Sequence, residues 1–375
     1  MSSDSTTQRI TRLTSLRAIL ALIETSVDPV KPQTSSVSAA FGHTLAEDVV
    51  VQSSLPAAPV ALRDGFAVNA AAIADAGSYT PVPLVAPSKR IDMGGPLPDG
   101  TDAMVPFDAV NFSNGGAEAV APIASGEGVL AAGGDANAGA TWQQAGKTVG
   151  SIDVAIMAAA GVAKVSTRTP FVRVVSAATS RSPIIDASLG FVARAAIKAG
   201  GHLVDAREDK KSFEDALTET KPDVVMAVGG TGSGQRDTAV HTLARLGRVE
   251  AHGIAVSPGE TATFGFAGGR PVLLIPGRLD AALAIWLLIG RPLLARLAGG
   301  TVEDAPVTLP LRRKVTSTIG LTELVPVGCG EGMAEPLGSG YLSLTSLARS
   351  DGWIVVPADS EGFAAGTPVV VHPWP

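Results

Sequence analysis

Hydrophobic runs and helical patterns alternate along the middle of the chain. From Pro170 onward, the strand-like segments VRVVSAA, HLVDAR, DVVMAV and PVLLIPG alternate with helical patterns over residues 184–199, 212–219, 238–246 and 281–297. Short, continuously apolar runs bounded by glycine are typical of buried parallel strands. Their alternation with helices favours a doubly wound, mostly parallel sheet with helices on both faces. The pattern therefore predicts a central α/β domain.

The segments on either side of this domain follow other patterns. We predict a helix over residues 16–23, a short helix over 38–47, an apolar helix over 152–160, and short strands with turns over 81–120 and after Gly300. Short strands at close spacing, separated by Gly, Pro and Asp, are typical of small β-rich modules. The fold class is therefore multidomain α/β, with β-rich modules attached to the α/β domain.

Length and charge limit the classes of function. The chain has 375 residues, 46% hydrophobic and 17% charged, which is enough for two to four domains. The net charge is −6 without a Lys/Arg run, so we expect no nucleic-acid partner. The single cysteine, Cys329, excludes an internal disulfide, and the five histidines do not have zinc-ligand spacing.

The sequence predicts no membrane segment. The first residues are polar and lack the apolar core of a signal peptide. The longest apolar stretch, residues 281–290, is too short to span a bilayer and is followed by Arg291. We therefore expect a soluble protein in the cytoplasm.

A glycine-rich turn, VGGTGSGQRD, follows the apolar strand DVVMAV, and we call residues 229–237 the glycine loop. Its glycines, Gly229, Gly230, Gly232 and Gly234, allow positive φ and a close approach of the backbone to a ligand. The next helix points its N-terminus at the same place, where free N–H groups favour an anion. Asp237 either caps that helix or contacts the ligand. The alternative is a flexible surface loop without a ligand.

Two further turns follow strand patterns, and ligands of open α/β sheets bind beyond such strand ends. They are Ser257-Pro258-Gly259-Glu260 and Pro276-Gly277-Arg278. Arg278 is either a partner for phosphate or a solvated turn residue. The chain has neither a Walker lysine nor a GxGxxG motif at the first βα turn, which argues against an ordinary nucleotide or NAD site.

Taken in order, these motifs resemble the molybdopterin molybdenumtransferase family, which includes MoeA and the gephyrin E-domain. LPAAPVALRDGFAV resembles the family's LP-x-F-x-x-SAMDGYAV, and IDMGGPLPDGTDAMVPFDAV resembles I-x-TGAPLP-x-GADAVV-x-x-E. VGGTGSGQRD resembles GGVS-x-G-x-x-D, SPGETATFG resembles K-PGKP-x-x-FG, and IPGRLDAALA resembles LPGNPVSA. Each motif is weak alone, whereas the ordered set is specific and covers nearly the whole chain.

The resemblance implies a homodimer of four-domain subunits. It implies an elongated dimerisation domain (residues 10–50 plus 138–169), a β-rich inserted domain (51–137), a MogA-like molybdopterin-binding α/β domain (170–301) and a C-terminal small β-barrel domain (302–375). The implied reaction inserts molybdate into adenylylated molybdopterin and releases AMP, with Mg²⁺ as cofactor. Implied partners are a molybdopterin adenylyltransferase or a client molybdoenzyme.

Site residues are implied wherever this chain matches the family motifs. The catalytic residues would be Asp64, Asp135 and Asp237, and the Mg²⁺ ligands would be Asp64, Asp209 and Asp237. The ligand-binding residues would be Gly229, Gly230, Thr231, Gly232, Ser233, Gly234, Asp237, Pro258, Gly259, Pro276, Gly277 and Arg278. Carboxylates near molybdate make sense when they hold a cation that bridges pyrophosphate and oxyanion.

The chain departs from the family pattern at several of these motifs. Met93 stands at the family's threonine, Ser180 at its glutamate, Glu260 at a lysine and Arg278 at an asparagine. Fewer cations would weaken charge-assisted contacts to phosphate or molybdate. Two hypotheses therefore remain: an active transferase, or a paralogue that binds molybdopterin or the finished cofactor for storage or delivery.

Overall fold

The apolar strand Val224–Val228 lies inside a six-stranded sheet. In the computed structural model, which describes residues 8–113, 116–204, 212–302 and 304–374, the chain divides into two units. Residues 48–144 form one unit, and the flanking segments up to Glu47 and from Ala145 form the other. We refer to them as the insert unit and the main unit.

The sheet of the main unit is mixed. Its strand order is His202–Leu203, Phe171–Ser176, Val224–Val228, Arg270–Ile275, Thr263–Ala267 and Arg248–His252. The first four strands are parallel, and the last two join antiparallel at one edge. The four parallel strands and the helices that alternate with them confirm the pattern predicted from Pro170 onward. The antiparallel edge pair was not predicted.

Hydrophobic residues cover both faces of this sheet. Along Val224–Val228, alternate side chains belong to two different hydrophobic clusters, because successive residues of a strand point to opposite faces. One cluster contains Met226 and residues of helix Pro183–Lys198, and the other contains Ala227 and residues of helix Ala239–Leu246. The strand is thus buried on both sides, as its unbroken apolar sequence predicts.

Helices in the described part of the chain have well-defined ends. They are Leu16–Ser26, Ser151–Ala159, Pro183–Lys198, Phe213–Thr218, Ala239–Leu246, Leu279–Ile285, Arg291–Ala298 and Leu344–Ala348, with 3₁₀ turns Ser38–Ala40, Ala70–Ile73 and Phe107–Ala109. Ser15 caps the first helix by accepting from the N–H of Ala18. The prediction of a helix over 38–47 is wrong. A 3₁₀ turn is followed by strand Thr44–Leu45, which pairs with strand Lys164–Arg168. This tertiary pairing overrides the local helix propensity.

A long apolar helix crosses the core of the main unit. A π turn, Trp286–Gly290, joins Leu279–Ile285 to Arg291–Ala298 into one helical segment of 20 residues. This segment is long and apolar enough to cross a membrane by length and composition alone. The expectation that the apolar stretch is too short to span a bilayer is therefore wrong. The segment's most apolar window is 78% buried inside the protein, as in the core helix of a soluble protein, so the segment is weak evidence for a span.

Small sheets complete the main unit. Gln33–Ser36, Lys164–Arg168 and Thr44–Leu45 form a three-stranded sheet. Toward the C-terminus, the larger sheet contains Val256–Ser257, Thr322–Gly330, Gly352–Val356, Pro368–Pro373 and Val307–Pro310, with Met333–Pro336 paired to Thr322–Gly330. Val315–Thr316 pairs with Gly362–Phe363. The short strands predicted after Gly300 are confirmed.

The insert unit consists of short strands around a small core. One three-stranded sheet has the order Lys89–Ile91, Gly65–Val68 and Ala103–Val105, and another has Val82–Pro83, Gly116–Ala119 and Val110–Ser113. Two-stranded pairs join Val129–Leu130 to Val60–Ala61 and Thr141–Gln143 to Val49–Val50. The β-rich character predicted over 81–120 is confirmed, while the four-domain division remains a prediction.

Candidate ligand-binding site

Three loops meet at the carboxyl ends of neighbouring parallel strands in the main unit. They are residues 177–181, the glycine loop and Pro276-Gly277-Arg278. The N–H of Ala177 donates to the carbonyl of Val228 at 2.9 Å, and the N–H of Gly229 donates to the carbonyl of Ile275 at 2.8 Å. These bonds extend the strand pairing by one residue and bring the loops together. The edge is the place where ligands bind to open α/β sheets.

The first two glycines of the glycine loop allow it to pack against the neighbouring loop. Gly229 and Gly230 have positive φ, 90° and 69°. A Cβ on Gly230 would lie 2.6 Å from the carbonyl oxygen of Ala177, and one on Gly229 would lie 2.8 Å from the Cβ of Ala178. Both positions therefore require glycine for their conformation and for close packing between loops.

The next two glycines have a different role from the predicted one. Neither Gly232 nor Gly234 has positive φ. A Cβ on either would lie 2.7 or 2.9 Å from the Oδ2 atom of Asp237. Oδ2 accepts the N–H of Gly234 at 3.0 Å, and the N–H of Asp237 donates to the carbonyl of Gly234 at 3.0 Å. These glycines thus make room for a carboxylate that folds the loop on itself.

Asp237 does not cap the helix that follows. The N-cap residue of Ala239–Leu246 is Thr238, and its side chain makes no capping bond. The N–H groups of Val240 and His241 instead donate to Oε1 of Gln8, at 2.8 and 3.3 Å. The expectation of free N–H groups for an anion at this helix N-terminus is therefore wrong, because a distant glutamine binds two of them.

The turn Ser257-Pro258-Gly259-Glu260 lies beside the glycine loop. The hydroxyl groups of Thr261 and Thr231 are 3.0 Å apart, and Thr231 is 3% exposed. The carboxylate of Glu260 accepts the N–H of Gly259 at 3.0 Å. The structure thus brings together two turns that lie about thirty residues apart in sequence.

Arg278 is held by two neighbours. Its guanidinium donates to both carboxylate oxygens of Asp280, at 3.1 and 2.5 Å, and lies 4.5 Å from the ring centre of Tyr341. The hydrogen bond with Asp280 is the main cause that raises the pKa of Arg278 above its usual value. Asp280 is 4% exposed, whereas the Arg278 side chain is 58% exposed. Arg278 is therefore a fixed, solvent-facing cation rather than a free turn residue.

In the insert unit, Asp64-Gly65 lies at the start of strand Gly65–Val68, and the GGPLP segment (residues 94–98) follows the neighbouring strand Lys89–Ile91. Gly65 pairs with Ile91, and the Oδ1 atom of Asp64 accepts the N–H of Met93 at 2.6 Å. Asp64 is exposed. The structure therefore joins two segments that lie about thirty residues apart in the chain.

Asp135 lies in a turn of the same unit. Its N–H donates to the carbonyl of Leu55 at 3.0 Å, and its exposed carboxylate makes no hydrogen bond to a described residue. Asp209 lies outside the described residues. Within the described ranges, no group of three or more His, Cys, Asp or Glu side chains could hold a metal ion.

Three family models match successive parts of the chain. The model of the MoeA N-terminal region (domain I and II) matches residues 14–161, the model described as "Probable molybdopterin binding domain" matches 172–296, and the model of the MoeA C-terminal region (domain IV) matches 308–374. The chain belongs to the MoeA family. Its fold is accordingly MoeA-like and multidomain, with an α/β domain of the molybdopterin-binding type.

Relatives cover nearly the whole chain. Molybdopterin molybdenumtransferase 1 of Mycobacterium tuberculosis is 26% identical over 90% of this chain and 93% of its own length. The molybdopterin molybdenumtransferase of Bacillus subtilis is 26% identical over 87% of this chain and 86% of its own. The crystal structure of a molybdopterin biosynthesis MoeA protein from Pyrococcus horikoshii is 25% identical, with a TM-score of 0.75, and covers 96% of this chain and 99% of that one.

The arginines around the site of this MoeA-family chain differ in their ion-pair partners. Arg181 pairs with Asp186 at 2.8 Å, whereas the structure shows no ion pair between Arg236, on the glycine loop, and a described residue. Together with Arg278 they place three guanidinium groups on the loops at this edge. Of the three, Arg278 interacts electrostatically with Glu260, which stands where the family has a lysine.

His252 was assigned no role from sequence. Its strand partner is Thr263, and both Nε2 of His252 and Oγ1 of Thr263 are buried without a hydrogen-bond partner among the described residues. Burial lowers the pKa of His252, and nearby His241 lowers it further, while a hydrogen bond to the backbone of Thr231 opposes the shift. A neutral imidazole therefore lies against the glycine loop.

Proposed function

We propose that the protein is a molybdopterin molybdenumtransferase. It inserts molybdate into adenylylated molybdopterin and releases AMP, as a step of molybdenum cofactor biosynthesis. The observation that carries this proposal is the meeting of three loops, with the glycine loop at their centre, on the domain that matches the molybdopterin-binding model. Relatives of nearly full length that bear the transferase name support it.

The phosphate end of the pterin binds to the glycine loop in this proposal. Thr231, Gly232, Ser233 and Gly234 supply backbone and hydroxyl groups, and Arg278 supplies the cation. The turns Pro258-Gly259 and Pro276-Gly277 shape the sides of the site. The Asp280 carboxylate, which accepts from two nitrogens of Arg278, and the Tyr341 ring stacked against the guanidinium keep that group in one orientation, and the N–H groups not bound to Asp280 are left for an anion.

Carboxylates supply the remaining chemistry. We propose Asp64, Asp135 and Asp237 as catalytic residues, and Asp64, Asp209 and Asp237 as residues that hold Mg²⁺. In both Asp64 and Asp237 one carboxylate oxygen accepts a backbone N–H, which leaves the other for a hard cation. Asp64 and Asp237 lie in different units, and each taken by itself could supply one carboxylate ligand to Mg²⁺, which takes one or two protein carboxylates and completes its shell with water and substrate phosphates. Bound Mg²⁺ would neutralise charge on pyrophosphate and oxyanion.

The assembly and location follow the family expectation. We propose a cytoplasmic homodimer whose subunits have the four domains described from sequence: residues 10–50 plus 138–169, 51–137, 170–301 and 302–375. Its protein partners would be a molybdopterin adenylyltransferase that supplies the substrate, or a client molybdoenzyme that takes the product. We propose no nucleic-acid partner and no membrane association.

A non-catalytic paralogue is the other function considered. Met93, Ser180 and Glu260 replace family residues that could contact oxyanions, which is the observation in its favour. The relatives do not favour it, because they are named for the transferase activity.

Complementation tests the proposed function. The gene is introduced into a strain that lacks its own molybdenumtransferase, and nitrate reductase activity is measured. Restored activity that requires Asp64 and Asp237 supports the enzyme. Tight binding of molybdopterin by the pure protein, without restored activity and without molybdate-dependent AMP release, would overturn the enzyme in favour of the paralogue.

A further inference from the structure

A segment ahead of the first helix lies on the main unit next to the glycine loop. The N–H of Thr14 donates to the carbonyl of Gly253 at 2.9 Å, and the carbonyl of Thr14 accepts the N–H of Ala255 at 2.8 Å. Gly253 has a φ of 93°, and a Cβ there would lie 2.5 Å from a side-chain carbon of Ile10. The segment therefore packs closely on the chain just after strand Arg248–His252.

Gln8, near the start of this segment, reaches the base of the glycine loop. Its Nε2 donates to the carbonyls of Gly230 and Gly232, at 3.1 and 2.9 Å. Its Oε1 accepts from the N–H groups of Val240 and His241, at 2.8 and 3.3 Å. Gln8 is 2% exposed, and its bonds to Gly230 and Val240 are buried, while those to Gly232 and His241 are partly buried. One buried amide thus ties the loop to the first turn of the helix that follows it.

A primary amide is the side chain that suits this position. Two carbonyls require donors, and two backbone N–H groups require an acceptor, and the amide of glutamine has both at one end. A glutamate would place a carboxylate against the carbonyls of Gly230 and Gly232. An alanine would remove all four bonds. The Gly230 carbonyl would keep the N–H of Ala239 at 3.2 Å, whereas the Gly232 carbonyl and the N–H groups of Val240 and His241 would lose the partner that Gln8 supplies, which is costly in a partly buried site.

We infer that Gln8 is a positioning residue for the ligand loop. It holds the carbonyls of Gly230 and Gly232, the residues before and after Thr231, and so sets the orientation of residues 231–234, to which the proposed function assigns the phosphate. Because Gln8 occupies the N-terminus of helix Ala239–Leu246, the phosphate binds to the loop and not to that helix end. This inference rests on the proposed function, since the ligand is the one named there.

Two substitutions and one control test the inference. Gln8→Ala removes the four bonds, and Gln8→Glu keeps an acceptor while it removes the two donors. The control is Ser15→Ala, which removes a helix cap in the same segment without contact with the glycine loop. Circular dichroism checks that each variant is folded. Hydrogen exchange of the Val240 and His241 amides is measured without ligand, and the Kd for molybdopterin is measured by fluorescence titration.

For Gln8→Ala we expect faster exchange at both amides. We also expect the Kd for molybdopterin to rise about tenfold, because a loop that is no longer held in the binding conformation loses roughly 1.4 kcal/mol of binding free energy. Gln8→Glu should recover affinity as pH falls, because a neutral carboxyl group donates one hydrogen bond again. Ser15→Ala should bind as the unmodified protein does. An unchanged or lower Kd for Gln8→Ala overturns the inference alone. Failure of the unmodified protein to bind molybdopterin overturns both the inference and the proposed function.

Discussion

The hydroxyl groups of Thr231 and Thr261 lie 3.0 Å apart and join the glycine loop to the turn that begins at Ser257. Thr231 is almost fully buried. Thr261 is partly buried, so the Thr231 hydroxyl in particular depends on this bond to satisfy its hydrogen bonding. The two turns therefore behave as one structural unit, although the strand Arg248–His252 and its connections separate them in the chain.

Loss of this bond should be measurable as coupling between the two residues. We expect Thr231→Val and Thr261→Val each to lower the free energy of unfolding by about 1 kcal/mol. The double variant should lose little more than either single variant, because valine at both positions leaves no hydroxyl without a partner. Urea denaturation of the four proteins gives the coupling energy. Additive losses would show that the two hydroxyl groups do not depend on each other.

Arg278 should contribute to ligand affinity through its charge and its fixed orientation. We expect Arg278→Gln to raise the Kd for molybdopterin about tenfold or more, because a charge-assisted hydrogen bond contributes about 1.5–3 kcal/mol. Arg278→Lys should not restore affinity, since an ammonium group cannot keep both the two-oxygen contact with Asp280 and the stacking on Tyr341.

A matched variant separates this effect from general loss of charge. Arg312→Gln removes an exposed arginine that pairs with Glu331 at 2.7 Å and with Glu335 at 3.7 Å, and the Kd of this variant should equal that of the unmodified protein. Stability is followed separately, because removal of Arg278 leaves the buried carboxylate of Asp280 without its cation. Equal affinities for Arg278→Gln and the unmodified protein would remove Arg278 from the site.

The alternation of strands and helices in the α/β domain was predictable because the sequence features that mark each element lie within that element or directly after it. Val224–Val228 is an unbroken apolar run, and Gly200 follows helix Pro183–Lys198 with a φ of 84°, as a glycine after a helix should. The nearness of Asp64 to the GGPLP segment was not evident from composition. The ordered motifs pointed to both segments, and the structure adds the hydrogen bond from Met93 that links them.

Gln8 and His252 were beyond sequence reasoning for a physical reason. Gln8 lies in a polar stretch that resembles a loose terminus, and its partners are 222 to 233 residues away. No local periodicity encodes a contact of that separation. The short helix predicted over 38–47 failed for a related reason, because Thr44 and Leu45 pair with a strand more than a hundred residues later.

His252 should make stability depend on pH. Burial lowers its pKa in the folded protein below the usual value of about 6.5, so the unfolded chain binds the proton first as pH falls through that value. The contribution is therefore fully present above about pH 6.5 and is lost as pH falls toward the folded-state pKa. Unfolding free energies measured between pH 8 and 5.5 should fall less steeply for His252→Gln. Parallel curves for the two proteins would contradict the shift.

Asp237 allows loop structure and charge to be separated by two substitutions. Asp237→Asn keeps an oxygen that accepts the N–H of Gly234 but loses the charge, whereas Asp237→Ala loses both. If the carboxylate acts on Mg²⁺ or in the reaction, the Kd of Asp237→Asn for molybdopterin should lie within about twofold of the value for the unmodified protein. The corresponding difference in binding free energy is well under the 1.4 kcal/mol of a tenfold change. Its molybdate-dependent release of AMP should nevertheless fall at least about a hundredfold, roughly 2.7 kcal/mol of barrier.

Asp237→Ala should lose affinity as well, because the loop no longer closes through Gly234. Unchanged molybdopterin binding by Asp237→Ala would place the ligand elsewhere, and full AMP release by Asp237→Asn would remove the charge from the chemistry.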